Sequence, residues 1–444
     1  MRIIIAGAGA VGTHLAKLLA REEQDIVLLD EIESRLSGLD SYDLMTVVGN
    51  PTSLHDLNRC SVSDTDLFIA VTPQESVNMT ACMLAKNLGA KKTVARIDNS
   101  EYLLPENKEF FKQLGVNSLI LPEKLAAKEI VDALQISWIR EIHSFCDDAL
   151  ILIGIKIRSN AKILNKLFSS GFFNHNKYRI VAIKRETKTI IPNGSDYVLA
   201  GDVVYFITTK ENMEEVREDT CKADFQIKNV LFMGGGHISQ QTIDALPENV
   251  NIKIIEKDRN KGIALAQKLK RNDILIINGD GTNLDLLKEE DIENMDAFVA
   301  ITDDSESNML ACLTAKRMGI KKTIAEIENI DYIDIADNLD IGAVINKKLI
   351  AASYIYQLTL NATILNLTCL SYSDAEVVEF IATEESKIIN HKIKELPLPK
   401  DVNIGGIVRN GVGFTVNGYT QIQAGDHVIV FCIASSVRKI DKFF

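Results

Sequence analysis

The 444-residue chain lacks any apolar run long enough to cross a bilayer. Stretches such as Ala149–Ile155 and Val428–Ala434 span seven residues, against about 20 for a helical span. Arg2 is followed by only Ile3–Ile5 before a glycine-rich turn. The start is therefore expected to be a buried strand, not a signal peptide. Seven cysteines are scattered, and none forms a CxxC pair. That pattern suits reduced, mostly buried thiols and argues against a disulfide framework. The seven histidines show no HxxxH or other ligand spacing, so no structural zinc or other metal is expected. No GxSxG, GxxxxGK[ST] or HExxH occurs, which removes the commonest signatures of hydrolases and phosphate-loop enzymes. Positive charge is in deficit: Lys+Arg number 49 against 61 Asp+Glu, for a net charge of −12. A general nucleic-acid binder would carry the opposite balance. No Pro- or Gly-rich linker interrupts the chain, so tightly packed lobes are expected. Hydrophobic residues at 46% and charged residues at 25% are ordinary globular usage, enough for two to four domains.

What the sequence does contain is itself, twice. Ala70–Asp98 and Ala300–Glu328 align without a gap at an offset of 230, with 14 of 29 positions identical. Upstream, Ile5-Ala6-Gly7-Ala8-Gly9 matches Phe232-Met233-Gly234-Gly235-Gly236 at an offset of 227. Within residues 1–140, short Ile/Val/Leu runs alternate with amphipathic stretches. The pattern predicts strands at Arg2–Ala6, Asp25–Asp30, Leu44–Val48, Asp66–Thr72, Thr93–Ile97 and Ser118–Leu121. It predicts helices over Val11–Arg21, Ser76–Leu88 and Glu123–Trp138. Such alternation belongs to an open parallel sheet covered by helices on both faces. Further on, the strands Ala149–Ile157, Tyr178–Lys184 and Val203–Thr208 surround the turn Ala200-Gly201-Asp202. Ala375–Ala382, Asn403–Arg409 and His427–Ile433 repeat that layout around Ala424-Gly425-Asp426. The fold class is therefore α/β: two Rossmann-like parallel-sheet lobes, each followed by a small α+β lobe. The expected boundaries are 1–142, 143–226, 227–367 and 368–444.

Gly7-Ala8-Gly9-Ala10-Val11-Gly12 is a GxGxxG turn between a strand and a helix. The first glycine permits the tight turn, the second admits a pyrophosphate, and the third lets helix and strand pack closely. The helix N-terminus then faces the anion. Asp30 ends the second strand, 18 residues past Gly12; a carboxylate there can hold ribose hydroxyls and disfavour a 2′-phosphate. In the second half the turn is Gly234-Gly235-Gly236-His237-Ile238-Ser239, and Glu256 stands for Asp30. Ser239 replaces the third glycine. His237 is placed either to reach a phosphate or to sit exposed at a helix start. Thr72 and Thr302 end the fourth strands with a hydroxyl. Arg96 ends the fifth and is placed to pair with ligand phosphates or to form a surface ion pair. Its counterpart, Glu326, reverses the charge, so the two sites are not equivalent. Asn78 and Asn308 recur where a capping, ligand-edge or interface role is plausible. Met79, Met309, Cys82 and Cys312 are expected in the core.

A hydride-transfer enzyme needs a positioned acid or base beside its cofactor. His143 and His175 in the first small lobe, and His391 and His427 in the second, do not recur at matching positions. No catalytic residue is assigned, and a non-enzymatic nucleotide sensor is the expected role. An NAD-dependent oxidoreductase and a regulator of another cation channel or exchanger are the alternatives.

The doubled glycine turn with its acid, the AVT…NM…C…AK…G…T-A-R segment and the AGD-strand endings resemble the RCK (KTN) regulators of potassium transport. The resemblance runs end to end. It implies two RCK-N and two RCK-C lobes in alternation, with NAD(H) as ligand and ATP or ADP as further candidates. It implies a homo-oligomer, dimer or tetramer, on the inner face of the cell membrane. Its partner there would be an integral-membrane potassium-translocating subunit of the Trk type, with no nucleic acid involved. Binding positions carry over to Gly7, Ala8, Gly9, Ala10, Val11, Gly12, Asp30, Thr72 and Arg96. In the second half they carry over to Gly234, Gly235, Gly236, His237, Ile238, Glu256 and Thr302. Asn50, where the family often has Asp, and Ser239 depart from the pattern; Asp280 keeps the acid in the second half.

Overall fold

Apolar runs that end at Gly, Asp or Asn become strands buried on both faces. The computed structural model describes residues 1–21, 24–173, 176–269, 271, 273–359, 364–373, 375–389, 391–433 and 436–444. His175 lies outside them. In the first half, β1 (Arg2–Ala6), β2 (Asp25–Asp30), β3 (Met45–Val48), β4 (Leu67–Ala70), β5 (Lys92–Arg96) and β6 (Ser118–Ile120) make one six-stranded sheet. Every pairing is parallel, in the order β3-β2-β1-β4-β5-β6. The order reverses between β1 and β4, the switch point at whose carboxyl edge such sheets open a crevice. Helix Ala10–Arg21 starts at that point. Helix Glu75–Asn87 lays Met79, Ala81, Cys82 and Ala85 against the sheet, where they join Ile4, Phe68 and Ala95 in the core. The described residues of 1–125 form one compact unit together with a helix from far along the chain, Lys347–Gln357, which packs on Ala10–Arg21.

The described residues of 126–346 and 361–444 form the other unit, with three sheets. The first is antiparallel: β7 (Glu141–Phe145), β8 (Leu150–Lys156), β9 (Tyr178–Arg185), β10 (Lys188–Ile190) and β11 (Val203–Thr208), ordered β10-β9-β11-β8-β7. The second copies the parallel sheet: β12 (Asn229–Met233), β13 (Asn251–Glu256), β14 (Leu275–Asn278), β15 (Ala297–Ala300), β16 (Lys322–Glu326) and β17 (Ala343–Ile345), ordered β14-β13-β12-β15-β16-β17. The third copies the antiparallel one: β18 (Ile364–Cys369), β19 (Ala375–Ile381), β20 (Val402–Arg409), β21 (Val412–Thr415) and β22 (His427–Ile433), ordered β18-β19-β22-β20-β21. The fold is thus the expected pair of Rossmann-like sheets, each followed by an antiparallel sheet.

The AGD turns have a physical reason. Asp202 and Asp426 are 2% and 1% exposed. Each accepts from the backbone N–H three residues before it, Leu199 or Gln423, at 2.8 Å. Each also receives the guanidinium of the β9 or β20 arginine: Arg185 Nη2 at 2.8 Å, Arg409 Nη2 at 2.7 Å. A buried carboxylate held this way closes the loop before the central strand of each antiparallel sheet.

Two sequence expectations need correction. Helix Glu123–Trp138 runs only over Pro122–Gln135, because Ser137 takes non-helical partners. Its Oγ donates to Asp224 and accepts from Phe225 N, both at 3.1 Å. The strands β7, β10, β18 and β21 were not expected. Each sits at a sheet edge, and edge strands carry short, mixed sequences without a continuous apolar run.

Glu129, on helix Pro122–Gln135, is pushed up to about 7 chiefly by burial, with Glu141 and Asp132 adding to the rise and His143 and Lys128 opposing it. Between the ordinary glutamate range and about 7, the folded chain holds a proton that the unfolded chain has lost. Its contribution to stability therefore falls as pH rises through that window. Glu129→Gln is expected to raise stability by about 1–3 kcal/mol at pH 8 and to bring no gain below pH ~4.5. Urea unfolding across pH checks this, and an equal gain at both ends would contradict it.

Candidate nucleotide-binding crevices

The first glycine of each turn sits where only glycine fits. Gly7 has φ +110° and Gly234 φ +101°; a Cβ on them would meet Thr72 N at 2.9 Å and Ile301 O at 2.8 Å. A Cβ on Gly12 would fall 1.9 Å from Gly7 O. Ser239 resolves its own departure from the motif, since its hydroxyl donates to Gly234 O and turns a forbidden approach into a hydrogen bond. At Gly9 and Gly236 a Cβ would meet nothing within 4 Å. This is open space at the position expected to face a pyrophosphate.

The acids that end the second strands hold the turns. Asp30 is 5% exposed; Oδ2 accepts from Ala8 N at 2.7 Å and Oδ1 from Ile32 N at 2.8 Å. Arg35 lies 3.6 Å away. Glu256 repeats the arrangement, with Oε2 accepting from Gly235 N and Oε1 from Asp258 N, each at 2.8 Å. A carboxylate oxygen has two lone pairs, so each acid can brace its turn and still accept from a ribose hydroxyl.

Asn78 and Asn308 are neither caps nor ligand-edge groups. Both are fully buried and use their whole amide. Asn78 Oδ1 accepts from Thr72 N at 2.8 Å and Thr72 Oγ1 at 2.7 Å, while Nδ2 donates to Thr72 O and Arg96 O, both at 3.0 Å. Asn308 makes the same four bonds to Thr302 and Glu326 at 2.7–3.1 Å. The amide ties the end of the fourth strand to the end of the fifth. Its signal in the sequence was its recurrence in both copies at a helical position that disfavours asparagine.

In the second half the structure gathers Gly234, Gly235, Gly236, Glu256 and Thr302 around one cavity of about 420 Å³. His237 is exposed at the first turn of helix His237–Ala245, and Ile238 is buried under it; neither lines the cavity. Asp280, expected to keep the family's acid, also lines it, as do Lys257, Lys261, Thr282, Asp303, Asp304 and Ser307, which were not among the expected site residues. Lys257 Nζ lies 2.9 Å from Asp280. That ammonium and the Thr282 hydroxyl hold the Asp280 carboxyl down to about 2. In the first half Ala8 and Val11 are buried, Gly9 is half-buried and Ala10 is exposed. Arg96 is flanked by Glu123 at 3.5 Å and Asp98 at 3.6 Å, and its buried Nε has no hydrogen-bond partner. Asn50 takes the role of Asp280 in the loop: its Oδ1 accepts from Thr52 N and Oγ1 at 2.7 and 2.6 Å, as Asp280 accepts from Thr282.

The crevices differ in charge. The second is lined by four carboxylates, Glu256, Asp280, Asp303 and Asp304, against two lysines. The corresponding first-half residues are Asp30, Asn50, Pro73 and Gln74, with Glu31 and Arg35 in the lysine positions and Arg96 in place of Glu326. Substituting Asn78→Ala leaves a buried N–H and two carbonyls unmatched. It is expected to cost about 2–4 kcal/mol in urea unfolding; a loss under about 0.5 kcal/mol would contradict the clamp.

A family model for the TrkA-N domain matches residues 3–122 and 230–347, and one for the TrkA-C domain matches 152–219 and 377–444. The chain is 32% identical to the Trk system potassium uptake protein TrkA of Haemophilus influenzae, over 100% of this chain and 98% of that one. It is 30% identical to the Trk system potassium uptake protein TrkA homolog 1 of Methanosarcina mazei, over 100% of both. Among solved structures, the GsuK RCK domain superposes with a TM-score of 0.62 at 13% identity, covering 100% of this chain and 94% of that one. The GsuK channel bound to NAD gives 0.61 at 14%, covering 100% and 78%. At such identities the structural likeness is one of fold. Matched by both domain models twice along its length, the chain belongs to the TrkA family.

Proposed function

We propose that this chain is the nucleotide-sensing regulatory subunit of a potassium uptake system. It would work as a homo-oligomer, dimer or tetramer, on the cytoplasmic face of an integral-membrane potassium-translocating subunit of the Trk type. The single observation that carries the reading is the repeated brace, in which a strand-end carboxylate holds a glycine turn open beside a helix N-terminus. The names of the full-length relatives support the transport role. The likeness in fold to a channel solved with NAD supports the ligand class.

The cradle fits a dinucleotide, because space is open at Gly9 and Gly236 and the carboxylates keep acceptor capacity. The turn N–H groups from Gly9 to Val11 and from Gly236 to Ile238 would hold phosphates, and Asp30 and Glu256 would hold ribose hydroxyls. Arg96, with an unused N–H, would serve an anionic group in the first crevice. The residues of these sites and the lobe divisions near 142, 226 and 367 belong to the proposal. Regulation follows if the nucleotide binds one arrangement of the lobes better than another, since only differential affinity shifts a population.

The charge difference supports a division of preferences between the crevices. Four carboxylates against two lysines repel a triphosphate more than a dinucleotide. The second crevice therefore prefers NAD(H), and the first, with Arg96 and neutral Asn50 and Gln74, admits ATP or ADP as well. Calorimetric titration of NAD, NADH, ATP and ADP is expected to show Asp30→Ala and Glu256→Ala each weakening one site by about 1–3 kcal/mol. Unchanged affinities in both variants would overturn the site assignment. Asp303→Asn with Asp304→Asn is expected to strengthen ATP binding in the second crevice more than NAD binding, with the gain shrinking as salt rises. Equal gains for both ligands would contradict the charge argument.

A further inference from the structure

The two antiparallel sheets bring together three donor atoms of different chemistry. Glu379 lies on β19 and His427 on β22. Ile381 pairs with His427 and Glu379 with Ile429 across that ladder, so Glu379 and His427 are diagonal neighbours on one face. Cys146 comes from the turn between β7 and β8 of the other antiparallel sheet. Glu379 Oε1 stands 2.7 Å from His427 Nδ1 and 3.1 Å from Cys146 Sγ, and one donor atom from each residue lies within 4.8 Å of the others. We propose that Cys146, Glu379 and His427 bind a divalent transition-metal ion of the zinc type, which staples the two antiparallel sheets together.

The donor set argues for the ion. One sulfur, one imidazole nitrogen and one carboxylate oxygen match zinc, whereas calcium and magnesium take oxygen alone. Three protein ligands leave a fourth tetrahedral position, and the half-exposed His427 and half-buried Cys146 leave it facing solvent. A thiolate and a carboxylate with a neutral imidazole cancel a dication, and the thiol proton leaves to solvent as the metal–sulfur bond forms. Without the ion, the S–H of Cys146 and the N–H of His427 both point at one oxygen of a carboxylate that is 6% exposed. Those two protons converge on the place a cation would take.

The backbone is also committed to this arrangement. Cys146, Asp147 and Asp148 have φ of 50°, 53° and 67°. This is an unbroken left-handed run without glycine, and it costs free energy unless neighbouring contacts fix it. The site is single. Val203 pairs with Lys156 in the first antiparallel sheet as His427 pairs with Ile381 in the second. The first sheet therefore carries Val203 and Gly154 where the second carries His427 and Glu379. The three residues lie 48 and 233 positions apart in the chain, beyond any spacing motif.

The test uses the full chain, stripped with a chelator and free of nucleotide. Zn²⁺ titration is expected to give one tight site per chain. Co²⁺ is expected to give a thiolate-to-metal charge-transfer band that Zn²⁺ abolishes. Cys146→Ser, which keeps the hydrogen bond to Glu379, is expected to remove that band and weaken Zn²⁺ at least tenfold, as is His427→Gln. Zn²⁺ is expected to raise the melting temperature of the parent chain and of neither variant, while NAD binding stays unchanged in all three. Absence of the cobalt band in the parent chain overturns the proposal. So does a band or a zinc affinity that survives in Cys146→Ser, because the metal would then be held elsewhere.

Discussion

Each crevice keeps its shape because a carboxylate at the end of the second strand reaches the backbone of the glycine turn. Without Asp30 on Ala8 N, or Glu256 on Gly235 N, the turn between strand and helix would carry an unmatched donor in a mostly buried place. Everything around the bond serves it. The left-handed first glycine brings the turn against the fourth strand. The third position, Gly12 or Ser239, lets the helix approach the turn's own carbonyl. The asparagine amide behind the fourth strand ties that strand to the fifth. The result is a braced cradle that is open at Gly9 and Gly236.

Duplication explains why the same devices occur twice, and divergence explains why the two crevices differ in charge. Contacts that hold the fold persist in both halves: carboxylate to turn, asparagine to two strands, buried aspartate to arginine in the antiparallel sheets. Residues that face the open space have changed. Asn50 and Gln74 stand opposite Asp280 and Asp304. Changes of charge at a solvent-facing rim cost the fold little, whereas changes in the clamp would leave buried polar groups unmatched. The two halves were therefore free to part in crevice charge while keeping one architecture.

Much of this was legible in the sequence. β1, β2, β11 and β22 begin and end where the apolar runs do, because buried strands leave an unbroken apolar record between turn residues. The edge strands β7, β10, β18 and β21 left none, since one side of each lacks a partner strand and tolerates polar residues. The glycine turns and their acids were readable because their spacing is local. The brace from acid to turn was not, since the spacing motif points to the ligand and not to the backbone the acid also holds. Asn78 looked like a cap because its bonds run to strand ends six and 18 residues away. Lys257, Lys261 and Asp304 line the cavity only because folding brings the segments after β13 and β15 to one sheet edge.

The most direct test of the central claim is potassium flux through the reconstituted membrane subunit, measured with this chain bound while nucleotide is varied. Flux is expected to change with NADH or ATP in the presence of the parent chain, and to lose that response with the Asp30→Ala, Glu256→Ala chain still bound to the membrane subunit. A response that survives in the double variant, or its absence with the parent chain, would contradict the account.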